Sequence, residues 1–290
     1  MRAADRWKDY ELIDCSNGER LERWGDYILI RPDPQVIWST PKINKLWNRA
    51  DARYIRSNTG GGRWEIYTKL PDSWNIGYDG LMFRVKTMGF KHTGIFQEQA
   101  VNWDITADHI KQSDRKIKML NLFAYTGCAT VSALAAGADV THVDAAKGMV
   151  QWAKENAAAS HTADKNVRWL VDDCRKFAER EIRRGNKYDI IIMDPPSYGR
   201  GPGGEVWKLE NEVYGLCSLC SELLSDNAVM FMINSYTAGL SPSVMSYILG
   251  SVIPGRLGGS VASDEIGIPV TDSSLILPSG ATAIWSAYGK

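Results

Sequence analysis

The pattern of hydrophobic and polar positions changes near residue 105 of this 290-residue chain. Before that point, short apolar or alternating runs at 27–30, 36–38, 64–67 and 81–85 are separated by turn-forming residues. In the last run, Leu81, Phe83 and Val85 alternate with other side chains, as a half-buried strand requires. The pattern predicts a small β-rich domain over residues 1–104, with its aromatic side chains in the core rather than on a base-stacking surface.

After residue 105, apolar runs alternate with amphipathic segments, which is typical of βα units. Five strands are predicted at 120–123, 140–143, 167–171, 188–193 and 229–233, and runs near 259–263 and 281–287 bring the sheet to seven. The unbroken run Ile190-Ile191-Ile192 suits a parallel strand that is buried on both faces. We therefore predict an α/β fold over residues 105–290, with a Rossmann-like, doubly wound, seven-stranded sheet.

The first predicted βαβ unit indicates a ligand that contains a nucleoside. Its first strand ends in the turn from Phe123 to Gly127, and its second strand ends in Asp144, where a carboxylate can accept both hydroxyls of a ribose. Gly127 is the only glycine of the turn, so the glycine pattern of dinucleotide-binding oxidoreductases is absent. A purely structural βαβ unit is the alternative interpretation.

Polar residues follow most of the predicted strands. They are Asp144 after the second strand, Asp172-Asp173 after the third, Asp194-Pro195-Pro196 after the fourth and Asn234 after the fifth. The carboxyl ends of parallel strands meet at one edge of an open sheet, and that edge is where such folds bind ligands. The sequence therefore predicts a polar site at this edge.

Composition narrows the function classes only slightly. The 34 Lys and Arg residues balance the 34 Asp and Glu residues, which gives no global electrostatic argument for or against nucleic acid. The five cysteines do not form the framework of a secreted disulfide protein, and no set of zinc ligands is found. The charged first ten residues and the lack of an apolar run of about 20 residues predict a cytoplasmic protein without a membrane span.

Residues from about 80 to 240 resemble the class I methyltransferases that depend on S-adenosylmethionine (SAM). More narrowly, they resemble the large-subunit ribosomal RNA methyltransferases, a family with cytosine-C5 and guanine-N7 members. The matching segments are 93–99 (TGIFQEQ), 121–127 (NLFAYTG), 143–144 (VD), 173–174 (DC) and 194–198 (DPPSY). This resemblance implies SAM as the cofactor, and it implies that the residues binding it are Gln99, Phe123, Tyr125, Thr126, Gly127, Asp144, Asp173 and Cys174. Asp172, rather than Asp173, is expected to cap the next helix or face solvent.

The segment Asp194-Pro195-Pro196-Ser197-Tyr198 is the predicted catalytic centre. Prolines lack an N–H and stiffen the turn, so their carbonyls and the Asp194 carboxylate could hold an amino group or a ring nitrogen. Tyr198 is predicted either to stack on a target base or to pack within the loop.

Cytosine-C5 chemistry needs a cysteine nucleophile. The cytosine members of the family carry it after the fifth strand, where this chain has 234–237 (NSYT). We therefore favour a nitrogen acceptor, in RNA and particularly ribosomal RNA.

Several alternatives stay open at this point. The acceptor could be a protein or a small molecule, or the chain could be a catalytically lapsed RNA-binding module. The predicted helix that includes Arg175, Lys176, Arg180, Arg183 and Arg184 could bind phosphates, although a solvated helix face is the preferred interpretation. The loop 199–204 is either a lid or a surface loop, and the sequence does not decide whether the protein forms a homodimer.

Overall fold

The computed structural model describes residues 1–57, 61–200 (without the side chain of residue 200), 206–237 and 239–288. Its residues group into two units. The first contains Met1–Arg2, Val101–Ile266 and Gly280–Lys290, and the second contains Ala3–Ala100 and Gly267–Ser279.

Short strands dominate the first 100 residues. They are β1 (Arg2–Ala3), β2 (Tyr10–Ser16), β3 (Glu19–Trp24), β4 (Tyr27–Pro32), β5 (Ala52–Arg56), β6 (Gly62–Ile66), β7 (Trp74–Tyr78) and β8 (Leu81–Val85). Strands β2 to β6 form a five-stranded sheet in sequence order, and β7 pairs with β8. The predicted β-rich region is therefore confirmed, although the run 36–38 is not a strand.

A fully buried ion pair lies inside the five-stranded unit. The Arg31 guanidinium donates two hydrogen bonds to Glu22, at 2.6 and 2.7 Å, and the Tyr10 hydroxyl donates a third at 2.8 Å. Arg31 also lies over the ring of buried Trp24. These contacts compensate the cost of burying the charges. The aromatic side chains Tyr10, Trp24 and Phe83 are buried, which confirms their predicted role in the core.

The remaining chain alternates helices and strands. In order, they are α1 (Ala100–Gln112), β9 (Lys118–Leu122), α2 (Cys128–Ala136), β10 (Asp139–Asp144), α3 (Lys147–Ala159), β11 (Val167–Val171), α4 (Cys174–Arg183), β12 (Ile190–Met193), β13 (Tyr198–Arg200), β14 (Val206–Lys208), α5 (Leu209–Ser221), β15 (Met230–Ser235), α6 (Pro242–Val252), β16 (Ser260–Pro269) and β17 (Ile276–Ser286).

The large sheet has the order β1-β16-β17-β15-β12-β9-β10-β11. Strands β15, β12, β9, β10 and β11 pair in parallel, and β17 pairs antiparallel to β15. The chain order reverses between β9 and β12, which is the switch point where doubly wound folds bind ligands. The predicted α/β class is confirmed, and within the described residues the sheet has eight strands instead of seven because β1 adds to it.

Both faces of this sheet are buried under helices. In β12, Ile190 and Ile192 belong to a hydrophobic cluster that includes residues of α2, whereas Ile191 and Met193 belong to a second cluster with residues of α4, α5 and α6. The strand with the unbroken apolar run is therefore buried on both faces, as predicted. No helix in the described part of the chain is long and apolar enough to span a membrane.

Candidate active site at the carboxyl edge of the sheet

The turn after β9 has an unusual backbone. Phe123, Tyr125 and Gly127 all have positive φ, at 55°, 49° and 78°. A left-handed conformation costs a non-glycine residue about 1–3 kcal/mol, and such residues concentrate at ligand sites. Two backbone hydrogen bonds hold the turn: Ala124 N–H donates to the Val143 carbonyl at 3.1 Å, and Gly127 N–H donates to the Ala124 carbonyl at 2.9 Å.

Asp144 ends β10 and closes this turn from the neighbouring strand. One carboxylate oxygen accepts the Tyr125 N–H and the other accepts the Ala146 N–H, both at 2.8 Å. Burial raises the pKa of Asp144, and the two N–H donors oppose that shift. The predicted ribose-binding carboxylate is thus already fixed in orientation by backbone donors.

Gly127 lies where a side chain would not fit. A Cβ at this position would come within 2.6 Å of the Ala153 Cβ in α3. Gly127 is also the N-cap of α2, and it provides no side-chain acceptor for the first N–H groups of that helix. The helix therefore presents donors and the positive end of its dipole to the turn.

The acid that caps the helix after β11 is Asp173 and not Asp172. Asp173 is the N-cap of α4, and its carboxylate accepts the Lys176 N–H at 2.9 Å. Asp172 forms an ion pair with Arg180. Of the two alternatives predicted for Asp172, capping is wrong, because α4 begins one residue later than that role requires; its side chain is instead partly exposed in the ion pair. Capping occupies one oxygen of Asp173.

Cys174 is buried beneath the turn and supports it. Its Sγ accepts the Phe123 N–H at 3.2 Å and lies 3.8 Å from the Val143 carbonyl, to which the thiol donates. The thiol thereby connects the ends of β9 and β10. Burial raises its pKa far above the usual range.

The segment from Asp194 to Tyr198 leaves the sheet beside this turn. The Asp194 N–H lies 3.5 Å from the Leu122 carbonyl, because β12 is the parallel neighbour of β9. Pro195 is buried, and the Tyr198 side chain is 52% exposed. The Pro196 carbonyl accepts the Trp207 indole N–H at 2.6 Å. The Pro196 carbonyl, one of the acceptors predicted for a substrate nitrogen, is thus already hydrogen-bonded within the protein.

The sequence analysis predicted a glycine-rich loop after Tyr198, and the structure shows paired strands at its two ends. Strands β13 and β14 form an antiparallel pair in which Gly199 lies opposite Trp207. Residues 201–204, most of the candidate lid at 199–204, lie outside the described residues.

Buried polar residues that the sequence analysis missed support the site. The Asn156 amide of α3 donates to the Thr126 carbonyl at 2.8 Å. In β10, His142 Nδ1 lies 3.0 Å from the Thr130 hydroxyl, and desolvation lowers the pKa of this buried imidazole to about 3. An Asn within the apolar face of a predicted helix was the available signal for Asn156.

Asn234, the last residue but one of β15, has a structural role. Asn234 Oδ1 accepts hydrogen bonds from Asn102 at 2.9 Å and from Thr282 at 2.5 Å, and all three side chains are buried. This arrangement fastens α1 and β17 to the end of β15. The amide that the sequence analysis offered as a ligand contact is thus already used within the protein.

All five cysteines are reduced and buried. Desolvation raises the pKa of Cys128 and Cys217 to about 12 and that of Cys220 well above its ordinary value. A nucleophilic cysteine reacts as the thiolate. The environments of these thiols disfavour that form. No group of three or more potential metal-ligating side chains occurs in the described ranges.

The basic helix α4 is largely neutralised by acids. Arg175 pairs with Glu212 at 3.0 Å, Arg180 pairs with Asp172, and Arg184 pairs with Glu181 at 3.1 Å. Two cations of α4 and Arg184 at its C-cap are thus used in intramolecular pairs, which supports the solvated-face interpretation over a phosphate-binding surface.

Gln99 belongs to the second unit, whereas the other predicted cofactor residues belong to the first. It ends a short 3-10 helix, Gln97–Gln99, and its side chain is buried. Its predicted role in cofactor binding stays a prediction.

Comparison with known proteins gives a consistent family. Residues 52–239 match the family model described as S-adenosylmethionine-dependent methyltransferase. The structure superimposes on the SAM-dependent methyltransferase from Agrobacterium tumefaciens with a TM-score of 0.91 and 37% identity, covering 97% of this chain and 91% of that one. A methyltransferase complexed with SAH shares the fold at a TM-score of 0.73 and 20% identity, covering 97% of this chain and 76% of that one.

Among curated sequences, the chain resembles ribosomal RNA large subunit methyltransferase K/L. The relative from Colwellia psychrerythraea is 29% identical over 166 residues, which is 57% of this chain and 22% of that protein. The relative from Shewanella oneidensis is 31% identical over 159 residues, which is 54% of this chain and 21% of that protein. The chain thus spans about a fifth of the length of the curated relatives that it matches.

Proposed function

The chain belongs to the family of S-adenosylmethionine-dependent methyltransferases, and we propose that it transfers the methyl group to a base nitrogen in RNA. The observation that supports this best is the position of the Asp194-Pro195-Pro196 segment. It leaves β12 directly beside the turn of β9, with the Asp194 N–H 3.5 Å from the Leu122 carbonyl. The segment that we propose to bind the methyl acceptor therefore lies beside the turn that we propose to bind the cofactor, at the switch point of the sheet.

The residues of the first unit fit the cofactor of the family. The uncapped start of α2, at Gly127, offers N–H donors to a carboxylate, and Asp144 offers carboxylate lone pairs to ribose hydroxyls. We assign Phe123, Tyr125 and Thr126 to the same pocket and Asp173 to the adenine amino group. Cys174 would act indirectly, by supporting the turn. When bound, SAM supplies a methyl group on a positively charged sulfur.

The acceptor side needs positioning more than acid–base chemistry. The Asp194 carboxylate would accept an N–H of the target base and hold the nitrogen lone pair toward the β9 turn. Pro195 and Pro196 have no N–H that could compete for this carboxylate, and they fix the path of the chain. The half-exposed Tyr198 offers a flat surface for the base. Correct placement of two reactants can supply a large part of the rate enhancement of an enzyme.

Two further observations support RNA and nitrogen over the alternatives. The curated relatives are named as ribosomal RNA methyltransferases. All five cysteines are buried, and burial raises their pKa values, which disfavours the thiolate that the covalent step of C5 methylation requires.

The test is methylation of an unmodified transcript of large-subunit ribosomal RNA with tritiated SAM, followed by mass spectrometry of the nucleosides. We expect an N-methylated base, lost in Asp194→Ala while SAM binding is kept. Label that enters only protein or small molecules would contradict the RNA assignment. A stable adduct with RNA containing 5-fluorocytosine would contradict the nitrogen assignment.

A further inference from the structure

The indole of Trp207 joins the two halves of the candidate site. Its Nε1–H donates to the Pro196 carbonyl at 2.6 Å. Its ring centroid also lies 6.0 Å from that of Phe123, with the ring planes tilted by 42°. Phe123 belongs to the turn at residues 123–127, which we call the cofactor turn, and Pro196 belongs to residues 194–198, which we call the acceptor segment. One half-buried side chain therefore contacts both.

The strand pairing explains why Trp207 faces inward. Trp207 lies opposite Gly199 in the β13–β14 pair, and side chains of directly opposed residues project on the same face. A Cβ on Gly199 would lie in ordinary van der Waals contact with the Trp207 Cβ, at 3.6 Å, which agrees with the two residues sharing a face. Tyr198 lies one residue earlier and projects on the other face, which agrees with its exposure.

The chain on both sides of the Pro196 contact is held as well. Leu209, the first residue of α5, donates its N–H to the Ser197 carbonyl at 3.1 Å and is fully buried. Asp194 precedes the contact at the end of β12. The segment between Asp194 and Ser197 is thus fixed at the sheet, at the Trp207 indole and at the start of α5.

We propose that Trp207 is a positioning residue for methyl transfer. Its N–H fixes the peptide that follows Pro196, and its ring sets the spacing between that segment and the Phe123 turn. Together these contacts hold the Asp194 carboxylate at the distance at which an acceptor nitrogen can reach the methyl group. The inference rests on the proposed function, because it takes Asp194 as the acceptor-binding group. An error of about 1 Å in such placement can cost roughly a hundredfold in rate.

The test compares Trp207→Phe with Trp169→Phe. The first variant keeps a ring against Phe123 and removes the donor. The control makes the same change in β11, where Trp169 packs on His142 instead of on the acceptor segment. With tritiated SAM and the ribosomal RNA transcript, we expect Trp207→Phe to lower kcat about tenfold or more, with the Kd for SAM and the KM for RNA within about twofold. Trp207→Leu, which also removes the ring, should lose more, and Trp169→Phe should match the parent.

A second measurement needs no acceptor and separates this inference from the RNA assignment. In protein labelled with 15N at the indoles, the signal that disappears in Trp207→Phe belongs to Trp207. We expect its N–H to exchange slowly with solvent and to shift when SAH is added, because its ring packs against Phe123, which we assign to the cofactor pocket. Fast exchange of that N–H, or an unchanged kcat in Trp207→Phe, would overturn the inference. If the parent methylates no RNA, the proposed function fails, and the exchange measurement alone decides on Trp207.

Discussion

Replacing Asp144 by Asn tests the cofactor pocket most directly. In the structure, each carboxylate oxygen accepts one backbone N–H, from Tyr125 and from Ala146, at 2.8 Å. A carboxylate has about four acceptor positions, so one position per oxygen stays available for a ribose hydroxyl. Asp144→Asn removes the charge and turns one acceptor into a donor. A hydrogen bond to a charged group contributes roughly 1.5–3 kcal/mol, so the Kd for SAM should rise roughly 10- to 150-fold.

Calorimetry with SAM and SAH measures this change, and Asp172→Asn is the matched control. Asp172 directly follows the neighbouring strand β11, but its carboxylate pairs with Arg180. The parent should also lose SAM affinity on acidification, because protonation of Asp144 removes an acceptor, and burial raises the pKa at which this happens. A folded Asp144→Asn protein that binds SAM within about twofold of the parent would refute the ribose assignment. Equal losses of SAM affinity in Asp144→Asn and Asp172→Asn would show that the effect is not specific to Asp144.

Three further predictions concern stability and RNA affinity. Desolvation lowers the pKa of His142 from 6.5 to about 3, so the unfolded state takes up a proton before the folded state does, and the stability that neutral His142 contributes is present above pH 6.5 and is lost as the pH falls. Between pH 7.5 and 5.0, the unfolding free energy measured in urea should fall by about 2 kcal/mol more in the parent than in His142→Gln, and equal losses would contradict this. Gly127→Ala should destabilise the protein more than Gly137→Ala in thermal unfolding, because both have positive φ but only the first meets Ala153; equal effects would show that strain alone matters. Replacing Arg180, Arg183 and Arg184 by Gln should lower stability, because the ion pairs of Arg180 and Arg184 are lost. The slope of RNA affinity against salt should change by no more than roughly 0.7, the value for one phosphate, and a change near two would show that the helix binds RNA.

The sequence was informative where one physical rule fixes many positions. The apolar run of β12 required burial on both faces, and the two hydrophobic clusters show it. Parallel pairing of β12, β9 and β10 then places their carboxyl ends at one edge. Asp144 and Asp194 could therefore be brought to the same edge without any knowledge of side-chain contacts.

The sequence did not predict contacts that depend on the exact first residue of a helix or on a partner far away in the chain. Asp172 and Asp173 are adjacent and identical, so only the first residue of α4 decides which of them caps it. Trp207 is eleven positions beyond Pro196, and no local pattern indicates that its indole returns to that carbonyl. Likewise, Arg175 is neutralised by Glu212 of a different helix, which the charge pattern of α4 does not contain.

The single glycine of the β9 turn has a consequence for how the site is built. Because Gly127 is alone, Phe123 and Tyr125 must adopt left-handed conformations with side chains, at a cost of about 1–3 kcal/mol each. The N–H groups of these two residues are held by Cys174, the first residue of α4, and by Asp144, the last residue of β10. The carboxylate proposed to bind the ribose is thus also a support of the turn. Cofactor binding and local stability are therefore coupled through Asp144, and binding of SAM should raise the stability of the turn against local unfolding.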